Sequence, residues 1–301
     1  VLPDISVRIA DIKFQNPFLL ASGILDENGY TIRRILNEGA GGAVTKSIGA
    51  EERTGYIPPV VVPLDDGLLN AVGLPNPGID GFANEMKISL EAGKPVIGSV
   101  FASNADEFIK LCRKMENYGA HAVELNLSCP HVKGFGSEVG SDPDLVEEIV
   151  NSLKSEIKIP VFAKLSPNVT DIIRIAEAAG KCDAFVLINT VRGMAIDIAA
   201  RKPVLSNRVG GLSGHAVKPV GIRAVWDVFE NFDKPIFGVG GIENVQDAVE
   251  YIMAGAGALQ IGTAVYSHGR GIFSKISTEL ASYMEKEGFN SIEEMRGLAH
   301  R

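Results

Sequence analysis

Eight short apolar runs, each followed by a stretch with helical periodicity, constrain this chain more than any other feature. The runs are Phe18-Leu19-Leu20-Ala21, Gly42-Ala43-Val44-Thr45-Lys46, Val96-Ile97-Gly98-Ser99-Val100, Ala122-Val123-Glu124-Leu125-Asn126, Val161-Phe162-Ala163-Lys164-Leu165, Ala184-Phe185-Val186-Leu187-Ile188-Asn189, Ile236-Phe237-Gly238-Val239-Gly240 and Ala258-Leu259-Gln260-Ile261-Gly262. Strands buried on both faces of a parallel sheet read as continuous apolar runs, whereas half-exposed antiparallel strands alternate. The spacing predicts helices over 30–38, 82–92, 105–118, 143–155, 170–179, 217–229, 245–254 and 271–286. Asp142-Pro143 supplies a cap and first turn, and Gly119, Gly180 and Gly255 stand just past helix ends. This order predicts an α/β fold, a (β/α)8 TIM barrel. An open doubly wound sheet is the alternative, weakened because no glycine-rich dinucleotide fingerprint follows the first strand. No low-complexity linker divides the chain, so residues 1–301 read as a single domain with long loops at the C-terminal face.

Those long loops are unevenly placed, at 48–80, 127–142 and 190–216, after the second, fourth and sixth runs. In a barrel they share one face, and the polar residues ending the strands gather there: Ser22, Lys46, Ser99, Asn126, Lys164 and Asn189. One lysine ending a strand is ordinarily a solvated end. Two, each preceded by apolar residues, point to a shared site. Glycines at Gly240-Gly241 and Gly262-Thr263, in the last two loops, with Gly210-Gly211-Leu212-Ser213-Gly214 upstream, leave backbone N–H groups open to a phosphate. A ring of Asn70, Asn126 and Asn189 suits a planar, amide-rich heterocycle such as a pyrimidine, and the phosphate cradle suits FMN. Cys129-Pro130, at a strand-to-loop turn, offers a thiol as base or nucleophile; a buried packing cysteine is the plainer alternative.

Composition narrows the partners. A net charge of −8 argues against a nucleic-acid backbone or an anionic membrane surface. Three cysteines, Cys112, Cys129 and Cys182, show no disulfide or zinc spacing, and His121, His215, His268 and His300 show no metal spacing. No apolar run approaches the roughly 18 residues of a membrane span, so the expectation is a soluble, cytoplasmic protein without a bound metal.

The motifs Asn70-Ala71-Val72-Gly73-Leu74-Pro75-Asn76-Pro77-Gly78, Asn126-Leu127-Ser128-Cys129-Pro130, Lys164-Leu165-Ser166-Pro167-Asn168-Val169-Thr170-Asp171, Ile188-Asn189-Thr190 and Gly210 to Gly214 resemble the class 1 dihydroorotate dehydrogenases, the 1B branch above all. The resemblance runs from about Ile5 to about Met284. It implies oxidation of (S)-dihydroorotate to orotate in pyrimidine (UMP) biosynthesis, with Cys129 taking a proton from C5 while a hydride passes from C6 to FMN. It implies a substrate site of Lys46, Asn70, Ala71, Val72, Gly73, Leu74, Asn126, Asn189 and Thr190. For FMN it implies Ala21, Ser22, Lys46, Ser47, Ser99, Asn126, Lys164, Ile188, Gly214, Gly240, Gly241, Gly262 and Thr263. Members of the branch form a homodimer or heterotetramer and pass electrons to a subunit carrying FAD and a [2Fe-2S] cluster that reduces NAD; fumarate is another acceptor in the wider class.

His131 stands where bacterial members usually carry asparagine, and Ser128-Cys129-Pro130-His131 also looks like the dihydropyrimidine dehydrogenases, which act on dihydrouracil and dihydrothymine. The tail Val132-Lys133-Gly134-Phe135-Gly136 departs from theirs, and its glycines suit a hinged cover. Two readings of other classes remain open at the level of residues: a Schiff-base aldolase using Lys164, and a barrel that binds a nucleotide without catalysis.

Overall fold

The computed structural model describes residues 3–127 and 139–301. Eight parallel strands close into a barrel: β1 (Phe18–Leu20), β2 (Gly42–Val44), β3 (Val96–Val100), β4 (Ala122–Asn126), β5 (Val161–Leu165), β6 (Ala184–Leu187), β7 (Ile236–Val239) and β8 (Ala258–Ile261). Each pairs with the next in chain order and β8 returns to β1, which is the (β/α)8 topology. Outside lie the helices Gly29–Asn37, Ala83–Leu90, Ala105–Asn117, Pro143–Glu156, Ile172–Ala178, Lys218–Asn231, Val245–Met253 and Ile272–Glu287. Local chemistry sets where several begin. Asn28, Asn104, Asp142, Asp171 and Asn244 each accept a backbone N–H from the first helical turn.

Because successive side chains alternate across a strand, each apolar run feeds two cores. One face packs against the helices. The other fills the lumen with Leu19, Val44, Ile97, Ala122, Phe162, Val186, Phe237 and Ala258. A hairpin of Val7–Ile9 and Ile12–Phe14 closes the N-terminal end and pushes Phe14 into this cluster, edge-on to Phe237 with ring centroids 6.2 Å apart. Its two-residue turn holds Ala10 and Asp11 at positive φ.

At the opposite end two of the long insertions are ordered against each other. Val61–Leu64, Gly67–Asn70, Gly210–Ser213 and Val191–Gly193 make a four-stranded antiparallel sheet. It unites the insertions after β2 and β6. The sequence reading treats both as loops, although Asp65-Asp66-Gly67 between apolar runs is a hairpin signal. Among the described residues, no helix is long and apolar enough to cross a membrane.

Phe14 is fully buried and Gly42 leaves it no slack, a Cβ there falling 2.9 Å from its ring. Phe14→Ala is therefore expected to open a cavity and lower stability by about 3–5 kcal/mol. Urea unfolding checks this, and a loss below about 1 kcal/mol would show that the hairpin is not part of the barrel's core.

Candidate active site

The C-terminal mouth of the barrel opens into a cavity of ≈ 350 Å³, within the size range of small-molecule sites. Its wall brings together residues from seven strand ends and the antiparallel sheet. Ala21 and Ser22 follow β1, Lys46 and Ser47 follow β2, Asn126 ends β4 and Lys164 lies in β5. Ile188, Asn189 and Thr190 follow β6, Gly240 and Gly241 follow β7, and Gly262 and Thr263 follow β8. From the insertions come Asn70, Val72, Gly73, Leu74 and Gly214, with Leu68, Leu212 and Val61 giving an apolar side. Two residues that the resemblance implies are not on the wall. Ala71 is fully buried beside Leu69 and Leu205, and Ser99 is fully buried beneath Ser47. Cys129, His131, Gly134 and Gly136 lie outside the described residues.

Hydroxyls and amides tie the wall together. Ser47 Oγ is 2.9 Å from Ser99 Oγ and 3.4 Å from Ser22 Oγ, and it accepts Asn126 Nδ2–H at 3.0 Å. Asn189 Nδ2 reaches Asn126 Oδ1 at 3.5 Å, while Asn70 Nδ2 donates to Gly211 O across the antiparallel sheet at 3.3 Å. Asn168, which the sequence reading left without a role, braces the loop after β6: its Nδ2 donates to Thr190 O at 2.9 Å and its Oδ1 accepts from Arg192 N at 2.8 Å.

Two lysines stand almost wholly buried at this mouth, Lys46 at 6% exposed and Lys164 at 5%. A buried ammonium needs a counter-charge. Glu124 Oε1 lies 3.4 Å from Lys164 Nζ, and Gln260 Nε2 donates to Glu124 Oε2 at 2.8 Å. An ammonium held against a carboxylate is poorly suited to nucleophilic attack, which counts against the Schiff-base reading. Near Lys46 lies Asp26, also fully buried, whose Oδ2 accepts from Gly23 N at 2.6 Å. Asp26, Glu124 and Gln260 are absent from the sequence-derived site. Glu124 carried a signal, a charge two residues from Asn126 on the same face of an apolar strand.

The glycine loops form a cradle. Tyr251 Oη donates to Gly240 O at 2.7 Å, Thr263 Oγ1 donates to Ser213 Oγ at 2.8 Å, and Gly241 is pressed so close to Gly214 O that a Cβ would approach it to 2.8 Å. Gly262 is different. A Cβ there would meet only Ala21, at 3.6 Å, so the fold leaves room for a side chain and the chain leaves that room open. Buried Gln260 Oε1 also has no hydrogen-bond partner among the described residues. Open glycine backbone, two cations and one unpaired polar atom around one partly apolar cavity fit a planar, phosphorylated cofactor such as FMN.

The family model described as Dihydroorotate dehydrogenase matches residues 4–284. The chain is 63% identical over 298 residues to the "Dihydroorotate dehydrogenase B (NAD(+)), catalytic subunit" of Thermoplasma volcanium, covering 99% of each chain. It is 62% identical over 300 residues to the protein of the same name from Thermoplasma acidophilum, covering 100% of each. Its identity to that of Methanocaldococcus jannaschii is 49% over 302 residues, covering 98% of each.

Burial raises the Asp26 carboxyl above its usual value of 3.8, and the Lys46 charge acts in the opposite direction. A raised folded value means that Asp26 contributes stability fully below its ordinary titration and loses it as pH rises through the folded value. Asp26→Asn, which cannot ionise, is expected to gain stability relative to the wild type as pH is raised from about 4 toward neutrality. Urea midpoints across that range check the sign, and parallel profiles for the two proteins would refute it.

Proposed function

The chain belongs to the dihydroorotate dehydrogenase family, and from that membership we propose how it works: it oxidises dihydroorotate to orotate in pyrimidine biosynthesis, with Cys129 as general base. The observation that supports this reading most is the single cavity joining Lys46, Lys164, Asn70, Asn126 and Asn189 to a glycine cradle. When bound, FMN supplies the oxidant that accepts the hydride leaving C6 of the substrate. Every other task falls to the protein. Cys129 takes the C5 proton. Asn70, Asn126, Asn189 and Thr190, with the segment from Ala71 to Leu74, hold the substrate ring and its carboxylate; Ala71 contributes through backbone alone, since its side chain is turned into the core. Lys46 serves substrate and cofactor together.

FMN is assigned to Ala21, Ser22, Lys46, Ser47, Asn126, Lys164, Ile188, Gly214, Gly240, Gly241, Gly262 and Thr263, with Ser99 acting through its contact with Ser47. Residues 1–301 work as one FMN-binding domain in the cytoplasm. The relatives' name, catalytic subunit, implies a partner for electron transfer. On this reading the partner carries FAD and a [2Fe-2S] cluster and delivers electrons to NAD, and the assembly is a homodimer or a heterotetramer. Cys112 and Cys182 are both wholly buried, each thiol pushed up by burial, Cys182 to about 12, so neither suits a cluster ligand, which must be a thiolate.

Anaerobic addition of dihydroorotate is expected to bleach the flavin band while dihydrouracil does not; the reverse would move the chain to the dihydropyrimidine dehydrogenases. Cys129→Ala is expected to retain FMN and lose about 10²–10⁴-fold in the rate of flavin reduction at neutral pH, so an unchanged rate would remove Cys129 from the chemistry. Gly262→Val, with backbone space for the change, is expected to purify without FMN and to match the urea midpoint of FMN-free wild type; normal FMN content would show that the cradle lies elsewhere.

A further inference from the structure

Glu124 has no place in the chemistry assigned so far, yet it is a wholly buried carboxylate one layer below the cavity. On the inward face of β4 it stands between Ala122, which packs in the lumen cluster, and Asn126, which lines the cavity. Its oxygens face two different strands. Oε2 accepts from Gln260 on β8, across the lumen, at 2.8 Å. Oε1 has no hydrogen-bond partner among the described residues and lies 3.4 Å from Lys164 Nζ on the adjacent β5. Lys164 and Gln260 both line the cavity, and Glu124 lies behind them.

This arrangement orders charge along the barrel axis: apolar lumen, then carboxylate, then ammonium at the cavity floor. Lys164 is nearly as buried as its partner, and Glu124 is the carboxylate in ion-pair reach of it among the described residues. A buried cation without a counter-charge withdraws toward water or sheds its proton. A carboxylate fixed by Gln260 from the far wall has its position set by the barrel itself, so the ammonium facing it inherits that position.

We propose that Glu124 is a positioning residue that keeps the Lys164 ammonium in place at the cavity floor, and so sets how strongly the protein favours reduced over oxidised FMN. The inference rests on the assignment of Lys164 to FMN made above. Cation placement near the ring favours the anionic reduced form. Loss of Glu124 then acts as loss of Lys164 does, opposite in sign to the direct effect of deleting a negative charge.

The test is the reduction potential of bound FMN, read by anaerobic equilibration with a reference dye, in wild type, Glu124→Gln, Lys164→Met and the double variant. Glu124→Gln is expected to weaken binding of reduced relative to oxidised FMN about tenfold, lowering the potential by about 30 mV for a two-electron couple. Lys164→Met is expected to shift it the same way, and the double variant no further than Lys164→Met alone. A rise in Glu124→Gln would mean that the field of the lost carboxylate acts directly, and no change would reduce Glu124 to a strut; either overturns the proposal. Should Lys164→Met itself leave the potential unmoved, the assignment of Lys164 to FMN fails, a result distinct from a shift in that variant alone. If Glu124→Gln does not fold, Glu124→Asp keeps the charge but draws it back from Lys164. It is expected to give a smaller shift of the same sign, and an unshifted potential there also overturns the proposal.

Discussion

A closed ring of eight strands has an inside that side chains must fill, and alternation along each strand decides which residues go there. In this chain the lower lumen takes Phe14, Phe162 and Phe237, with Phe162 and Phe237 at 5.1 Å between centroids. One alternation above Ala122 and Phe162 on their own strands, the inward positions carry Glu124 and Lys164; in the β4–β5 register Glu124 pairs with Phe162 and Asn126 with Lys164. The aromatic layer excludes water from below. Charge placed above it is therefore strong and must be paired, because unpaired burial is more costly than the fold can offset. The site's electrostatics are thus a consequence of barrel closure, not an addition to it.

The loops extend this constraint outward. Two insertions separated by more than a hundred residues of chain pair as an antiparallel sheet, with Asn70 opposite Gly211. That pairing places Asn70 and Leu74 on the cavity from one side while the Gly214 turn meets the β7 and β8 glycines from the other. The turn is locked by contacts a side chain would break, such as Gly214 against Gly67, where a Cβ would approach the Cα to 2.6 Å. Behind the cradle, Asp247 links Lys218 at 2.8 Å to the loop amide of Glu243 at 3.0 Å, joining two barrel helices to the turn between them and the site. Rigid support of this kind leaves open backbone where a phosphate needs it.

Particular residues mark how far reading the chain could go. Strand and helix positions were legible because buried parallel strands and capped helices leave local marks, as at Asp142-Pro143 and Asn244. Lys46, Lys164, Asn126 and Asn189 were legible as strand-end polar residues on one face. The N-terminal hairpin was not, since its turn is built on Ala10-Asp11 and not on the asparagine and glycine that usually mark such turns. Ser99 and Ala71 have site-like neighbours in sequence, but their side chains are wholly enclosed. Exposure is a property of packing.

By itself, then, the order of residues determined the barrel, the helix starts and the polar strand ends, because each depends on short-range periodicity and capping chemistry. Only tertiary structure decided that Gln260 would meet Glu124 across the lumen, that Glu124 would face Lys164, and that two insertions would zip together over the mouth. Those contacts join residues far apart in the chain whose meeting depends on strand stagger and ring closure, and no local pattern encodes the distance between opposite walls of a barrel.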